Sequence, residues 1–126
     1  MDMEETELFA FYGSLRRGMG NYAKYKSALE YIETRRIEGF ELYSLGEYPY
    51  AVKSHIPGAS IVIEIFRIRD SMARRMIHEL EIGADYFFDM LELDDRKIGI
   101  YLFSQRGNDI KVESGDWVSF FCKSGD

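Results

Sequence analysis

The residues best suited to chemistry are Tyr12-Gly13-Ser14-Leu15-Arg16-Arg17-Gly18, with Asn21 three positions on. They follow a short apolar run, Leu8 to Phe11, that reads as a strand, and a helical pattern opens after them. A strand that ends in Gly-Ser and turns into a helix leaves several backbone N–H groups free and pointing one way. Such groups hold an anion or a polarised carbonyl. The turn becomes a site if a catalytic side chain faces it, and Glu81 is the candidate.

Glu81 lies four residues after Ile77, on the apolar side of a predicted helix, and in its last turn. Burial and the negative end of the helix dipole both disfavour an ionised carboxylate and raise its pKa. A carboxyl that titrates near neutrality serves as general base and general acid. On spacing alone, the commoner arrangement is a boundary glutamate leaning into solvent. Glu64 interrupts Ser60 to Ile68, a run apolar enough for a strand covered on both faces. A carboxylate there needs a partner or lines a cavity. Arg16 and Arg17 either steer an acidic substrate or stand solvated at a loop tip, and solvation is expected for at least one. Tyr12, Tyr86 and Tyr101 are expected to be half core and half pocket wall.

Other chemistries are excluded cheaply. Neither His55 nor His78 has a second His or Cys at a metal-site spacing, so no metal is expected. Ser14 is not in a Gly-x-Ser-x-Gly elbow, and the loop lacks the Gly-Lys-Ser/Thr of a phosphate-binding loop. A net charge of -6 argues against nucleic acid. The lone Cys122 rules out an internal disulfide and fits a reducing cytoplasm; it is expected in a terminal strand as a small core or edge residue. No segment is apolar enough for a membrane span, and the acidic start Met1-Asp2-Met3-Glu4-Glu5 lacks the order of a signal peptide.

The elements that must position these residues fit one domain over 1–126, with its core from about Leu8 to Phe121. Asn21 is placed to cap a helix carrying Tyr22, Tyr25, Leu29 and Ile32 on one face. Strands are expected around Phe40–Leu42, Tyr50–Val52 and Ile61–Phe66. Asp70 or Ser71 caps a second helix with the apolar stripe Met72, Ala73, Met76, Ile77 and Leu80, stopping at Gly83. Three further strands are read at Tyr86–Leu93, Ile98–Phe103 and Trp117–Phe121. Short polar turns between them favour antiparallel pairing. This order predicts an α+β fold with a mixed, mostly antiparallel sheet, curled or closed.

Five segments in register resemble the γ-glutamylcyclotransferase-like family. They are the Tyr12–Gly18 loop with Asn21, Leu45-Gly46-Glu47-Tyr48-Pro49, Ile61-Val62-Ile63-Glu64-Ile65-Phe66, Ile77-His78-Glu79-Leu80-Glu81 with Tyr86, and Ser114-Gly115-Asp116-Trp117. Three positions depart from the family pattern: Ile63 stands for Gly, His78 for Asp, and Phe88 for Arg. The resemblance implies a closed or nearly closed β-barrel with two to three helices. It implies a cofactor-independent enzyme that releases 5-oxoproline from a γ-glutamyl amino acid or amine. Glu81 is then the catalytic residue, and Tyr12, Gly13, Ser14, Leu15 and Tyr86 bind the γ-glutamyl group. The alternative is a non-catalytic carboxylate-binding module on the same fold. The expected partner is a small γ-glutamyl molecule, not nucleic acid or a membrane.

Overall fold

Leu8–Phe11 (β1) is the strand around which the larger sheet is assembled. The structure, a computed structural model, describes residues 6–124. The acidic start, Met1 to Glu5, lies outside the described residues. Phe9 and Phe11 pack with one apolar cluster and Ala10 with another, so β1 is covered on both faces. It pairs antiparallel with Ser60–Arg67 (β5) and parallel with Arg96–Leu102 (β7). Ile61, Ile63 and Ile65 of β5 fill one cluster while Phe66 fills the other, which explains its nearly continuous apolar sequence. Glu30–Glu38 (β2) pairs on the far side of β5, and Phe87–Leu93 (β6) pairs with β7. The resulting order is β2-β5-β1-β7-β6.

A second sheet holds Pro49–Lys53 (β4), Phe40–Ser44 (β3) and the two-residue strand Ile110–Lys111 (β8), in the order β4-β3-β8. The pairings are antiparallel except β1 with β7, as expected for a mixed, mostly antiparallel α+β fold. The strands do not close into one barrel among the described residues; they form two sheets. A backbone hydrogen bond of 3.0 Å from Phe103 N to Ala51 O ties the end of β7 to β4 without extending a ladder.

Among the described residues three α-helices complete the fold: Gly20–Tyr25 (α1), Ser71–Gly83 (α2) and Trp117–Ser124 (α3). None is long and apolar enough to cross a membrane. The helix expected from Asn21 to Ile32 ends early. After α1 a single 3-10 turn, Lys26–Ala28, leads directly into β2. The aromatic spacing of Tyr22 and Tyr25 hid the change, because the β-branched Ile32, Thr34 and Ile37 that follow favour an extended backbone. Asn21 does not cap α1, since Met19 is the cap residue.

Trp117–Phe121 is helical, not a strand. Asp116 caps this helix, its Oδ1 accepting from Ser119 N at 3.3 Å, and Gly115 before it has φ +71°. Cys122 is consequently exposed on α3 rather than set in a terminal strand. The second helix forms where expected, with Asp70 accepting from Met72 N at 2.9 Å. Its buried face is rotated, however. Ala73, Arg74 and Ile77 are buried, whereas Met72, Met76 and Leu80 are exposed. This rotation carries Glu81 inward, because Ile77 and Glu81 are four residues apart.

Candidate functional site

The turn after β1 is held by its own backbone and by a charge cluster beneath it. Arg16 N donates to Gly13 O at 3.0 Å, and Tyr22 N donates to Ser14 O at 3.0 Å, joining the loop to α1. Asn21 Nδ2 donates to Ser14 Oγ at 2.8 Å. Phe11 is in register with Glu64 on β5, so the chain leaves β1 beside that carboxylate. Glu64 accepts from Arg16 Nε at 2.8 Å, and from Arg17 N at 3.0 Å and Arg17 Nε at 3.1 Å. Arg16 Nη1 reaches on to Asp116 Oδ1 at 2.8 Å. Arg16 and Glu64 are both buried.

The expectation of a solvated arginine therefore fails for Arg16 and holds only in part for Arg17. The Arg17 side chain is 45% exposed, yet it pairs with Glu64 and stacks its guanidinium 3.6 Å from the centre of the Tyr31 ring. Gly115 makes the far end of the cluster possible. A Cβ there would stand 2.1 Å from the Ser60 carbonyl, and Gly115 O accepts from Val62 N at 2.8 Å.

Above this clamp lies a recess of about 270 Å³. Tyr12, Gly13, Ser14, Leu15, Glu81 and Tyr86, the six residues singled out from the sequence, all line it. The fold thus brings together two segments about seventy positions apart in the chain. Among the described residues, no protein group accepts from the N–H of Gly13, Ser14 or Leu15. Among the described residues, Glu81 is the single charged side chain on the wall. Burial among apolar and aromatic neighbours pushes its carboxyl up from the usual 4.5 to about 7. Among the described residues, no arginine or lysine lines the recess to offset that penalty.

The aromatic walls are themselves fixed. Tyr12 Oη donates to Tyr101 O at 2.6 Å and accepts from Ala51 N at 3.1 Å. Tyr86 Oη donates to the carbonyl of Pro49. These hydroxyls anchor β4 and β7 around the recess, and the rings face it. Burial first, and the nearby Glu81 charge after it, raise the Tyr86 and Tyr101 phenols. Burial, Tyr86 and Glu81 raise Tyr12 in the same direction. All three phenols therefore keep their protons at neutral pH.

Tyr48, Pro49, Leu80 and Ala84 also line the recess and were not assigned to it from the sequence. The Leu45–Pro49 segment carried the signal for the first two. Gly13 has a different reason from the one its loop suggests. A Cβ there would come within 2.8 Å of Pro49 Cγ and Cδ, so the glycine lets β4 close over the loop. Among the described residues no group of three or more His, Cys, Asp and Glu side chains is disposed to hold a metal.

A Gly-Ser turn facing a half-buried glutamate across an aromatic recess, on two small sheets, defines a class that comparison with known proteins identifies. Residues 9–119 match the family described as gamma-glutamyl cyclotransferase, AIG2-like, and the chain belongs to that family. The gamma-glutamylcyclotransferase family protein YtfP of Escherichia coli K12 is 29% identical over 109 residues, covering 85% of this chain and 92% of YtfP. The solution structure of E. coli ytfP superposes with a TM-score of 0.65 at 27% identity, covering 90% of this chain and 97% of that one. PH0828 of Pyrococcus horikoshii shares the fold with a TM-score of 0.80 at 24% identity, covering 95% and 97% of the two chains. A mouse AIG2-like protein shares the fold with a TM-score of 0.60 at 18% identity, over 81% and 80% of the two chains.

Proposed function

We propose that this protein is a γ-glutamylcyclotransferase-type enzyme that releases 5-oxoproline from a γ-glutamyl amino acid or amine. The observation that carries the proposal is Glu81, a carboxyl raised to about 7, in the same recess as the Gly13–Leu15 turn. The turn's N–H groups hold the γ-glutamyl carboxylate and carbonyl. Tyr12 and Tyr86 wall the bound group. The substrate's α-ammonium gives a proton to Glu81, and the resulting amine attacks the γ-carbonyl carbon. Glu81 passes that proton to the leaving nitrogen as its C–N bond breaks, and the ring nitrogen gives up a second proton, which the released amine takes to become an ammonium. Nucleophile and electrophile are tethered, so folding the substrate into a reactive conformer supplies much of the acceleration. Every atom of the products comes from the substrate, and the reaction calls for no cofactor. The partner is therefore a small molecule, not nucleic acid or a membrane. The lone Cys122 supports a cytoplasmic setting.

The test is 5-oxoproline release from γ-glutamyl amino acids, γ-glutamyl amines, γ-glutamyl-ε-lysine and glutathione, with and without EDTA. Turnover of at least one, unchanged by the chelator, is expected. Binding without turnover across the panel would leave a carboxylate-binding module instead.

A further inference from the structure

His78 is a titratable residue that the proposed reaction does not use, and it touches the wall of the recess. Its Nδ1 lies 2.8 Å from Tyr101 Oη. Tyr101 lines the recess with Glu81, and His78 and Glu81 stand three apart on α2. Phe88 closes the group. Its ring meets the His78 ring edge-on at 6.0 Å between centres and lies 5.3 Å from that of Tyr101. Gly99 on β7 leaves room for it, since a Cβ there would stand 2.6 Å from Phe88 Cε1. Two of the three departures from the family pattern, His78 and Phe88, therefore form one cluster behind one wall of the site.

We propose that His78 is a positioning residue that sets the direction of the Tyr101 hydroxyl proton and thereby links its own protonation to that of Glu81. The phenol keeps its proton and has one to give. When Nδ1 is bare, it accepts that proton, and the phenol oxygen presents only lone pairs to the recess. When His78 is protonated, Nδ1–H donates to Tyr101 Oη. The phenol proton then turns toward the recess, where the Glu81 carboxylate or a bound substrate accepts it. A hydrogen bond to the ionised form favours that form, so a charged His78 favours a charged Glu81. Linkage makes the effect mutual.

Charged residues lie around this pair on α2, where Glu79 follows His78, and on β6. From β6 the facing residue is Phe88; the next, Asp89, is paired with Lys53 Nζ at 2.7 Å. From β7 it is Tyr101. On α2, Arg74 and Arg75 precede His78 by about one turn, and Arg74 donates to the carbonyls of Ile68 and Arg69.

The proposal deepens the cyclotransferase reading, but its test does not need turnover. The Glu81 carboxyl is followed by carbon NMR, and the His78 ring by nitrogen NMR, against pH in the whole protein. Wild type is expected to show, beside the inflection of Glu81 itself, a second one that coincides with titration of the His78 ring. Tyr101→Phe should remove the second inflection while both residues still titrate. His78→Asn, which keeps a hydrogen-bonding atom near the Nδ1 position but cannot ionise, should also remove it. Backbone amide spectra of both variants check that the fold is kept. Identical Glu81 curves in all three proteins would overturn the link. So would a second inflection that survives Tyr101→Phe, since it would then arise from direct charge–charge contact.

With a substrate that turns over, His78→Asn should lower kcat by about 2- to 10-fold and leave KM within about twofold. Linked titration without any 5-oxoproline release would retain this proposal and reject the enzyme. Turnover with unlinked titration would do the reverse.

Discussion

Glu64 and Glu81 are both carboxylates drawn out of bulk water, and their surroundings differ in one respect that decides their chemistry. Glu64 sits on β5 with Arg16 and Arg17 against its two oxygens, and Arg16 is neutralised further by Asp116. Glu81 sits on α2 with tyrosines, leucines and alanines along its recess and, among the described residues, no cation in its lining. The first arrangement makes the carboxylate a structural fixture, held by two guanidinium groups. The second keeps a carboxyl poised between its two protonation states near neutral pH. The two regions are coupled through the loop, because the clamp that holds Arg16 and Arg17 also holds the turn that faces Glu81.

The largest effect should come from removing the poised group. Glu81→Gln keeps size and hydrogen bonding but cannot carry the proton, and turnover should fall by roughly 10²–10⁴-fold. In wild type the base must be ionised, so kcat/KM should rise with pH through about 7, and that limb should be missing from any residual activity of the variant. A folded Glu81→Gln protein with near-normal turnover would make Glu64 the next residue to examine.

Glu64→Ala should act on stability instead. It strips Arg16 of one of two partners inside the protein; a fully unpaired buried charge costs about 3–5 kcal/mol, so with Asp116 left in place a loss of about 2–4 kcal/mol is expected. Denaturant unfolding at neutral pH measures this directly, with weaker substrate binding as the accompanying loss because the loop is released. A stability change below about 1 kcal/mol would mean that Asp116 and water replace Glu64.

The smallest expected effect has the opposite sign and comes from Glu81 again. Its folded pKa lies above its unfolded value of 4.5, so the penalty for burying the charge is absent below about 4.5, grows as pH rises, and is complete above about 7. Replacing it with glutamine should therefore leave stability unchanged at pH 4 and raise it by about 1–3 kcal/mol at pH 8. Equal midpoints for the two proteins across that range would show that Glu81 is solvated in the folded state.

The loop and the glutamate were legible from residue types because each carries a local signal. Gly13-Ser14 after an apolar run marks a strand-to-helix turn, and Glu81 four after Ile77 marks a shared helix face. The central strand Ile61–Phe66 was legible from its length and branching. β2 was not, because its alternation is broken by a shift of pairing register between Tyr31 and Glu33, and its charged outer residues resemble a solvated helix. α3 was not, because Trp117 to Phe121 is apolar without a period, and the Asp116 cap before it passed unread.

What the sequence determined by itself is thus the set of local elements that propensity and capping dictate, and the two residue groups with reactive character. Tertiary structure decided the rest. It rotated α2 so that Glu81 faced the turn. It matched Arg16 and Arg17 to Glu64, and it set His78 against Tyr101. The last two could not be read along the chain, since each depends on partners distant in sequence, and the energy of a buried charge or phenol is set by whatever the fold places beside it.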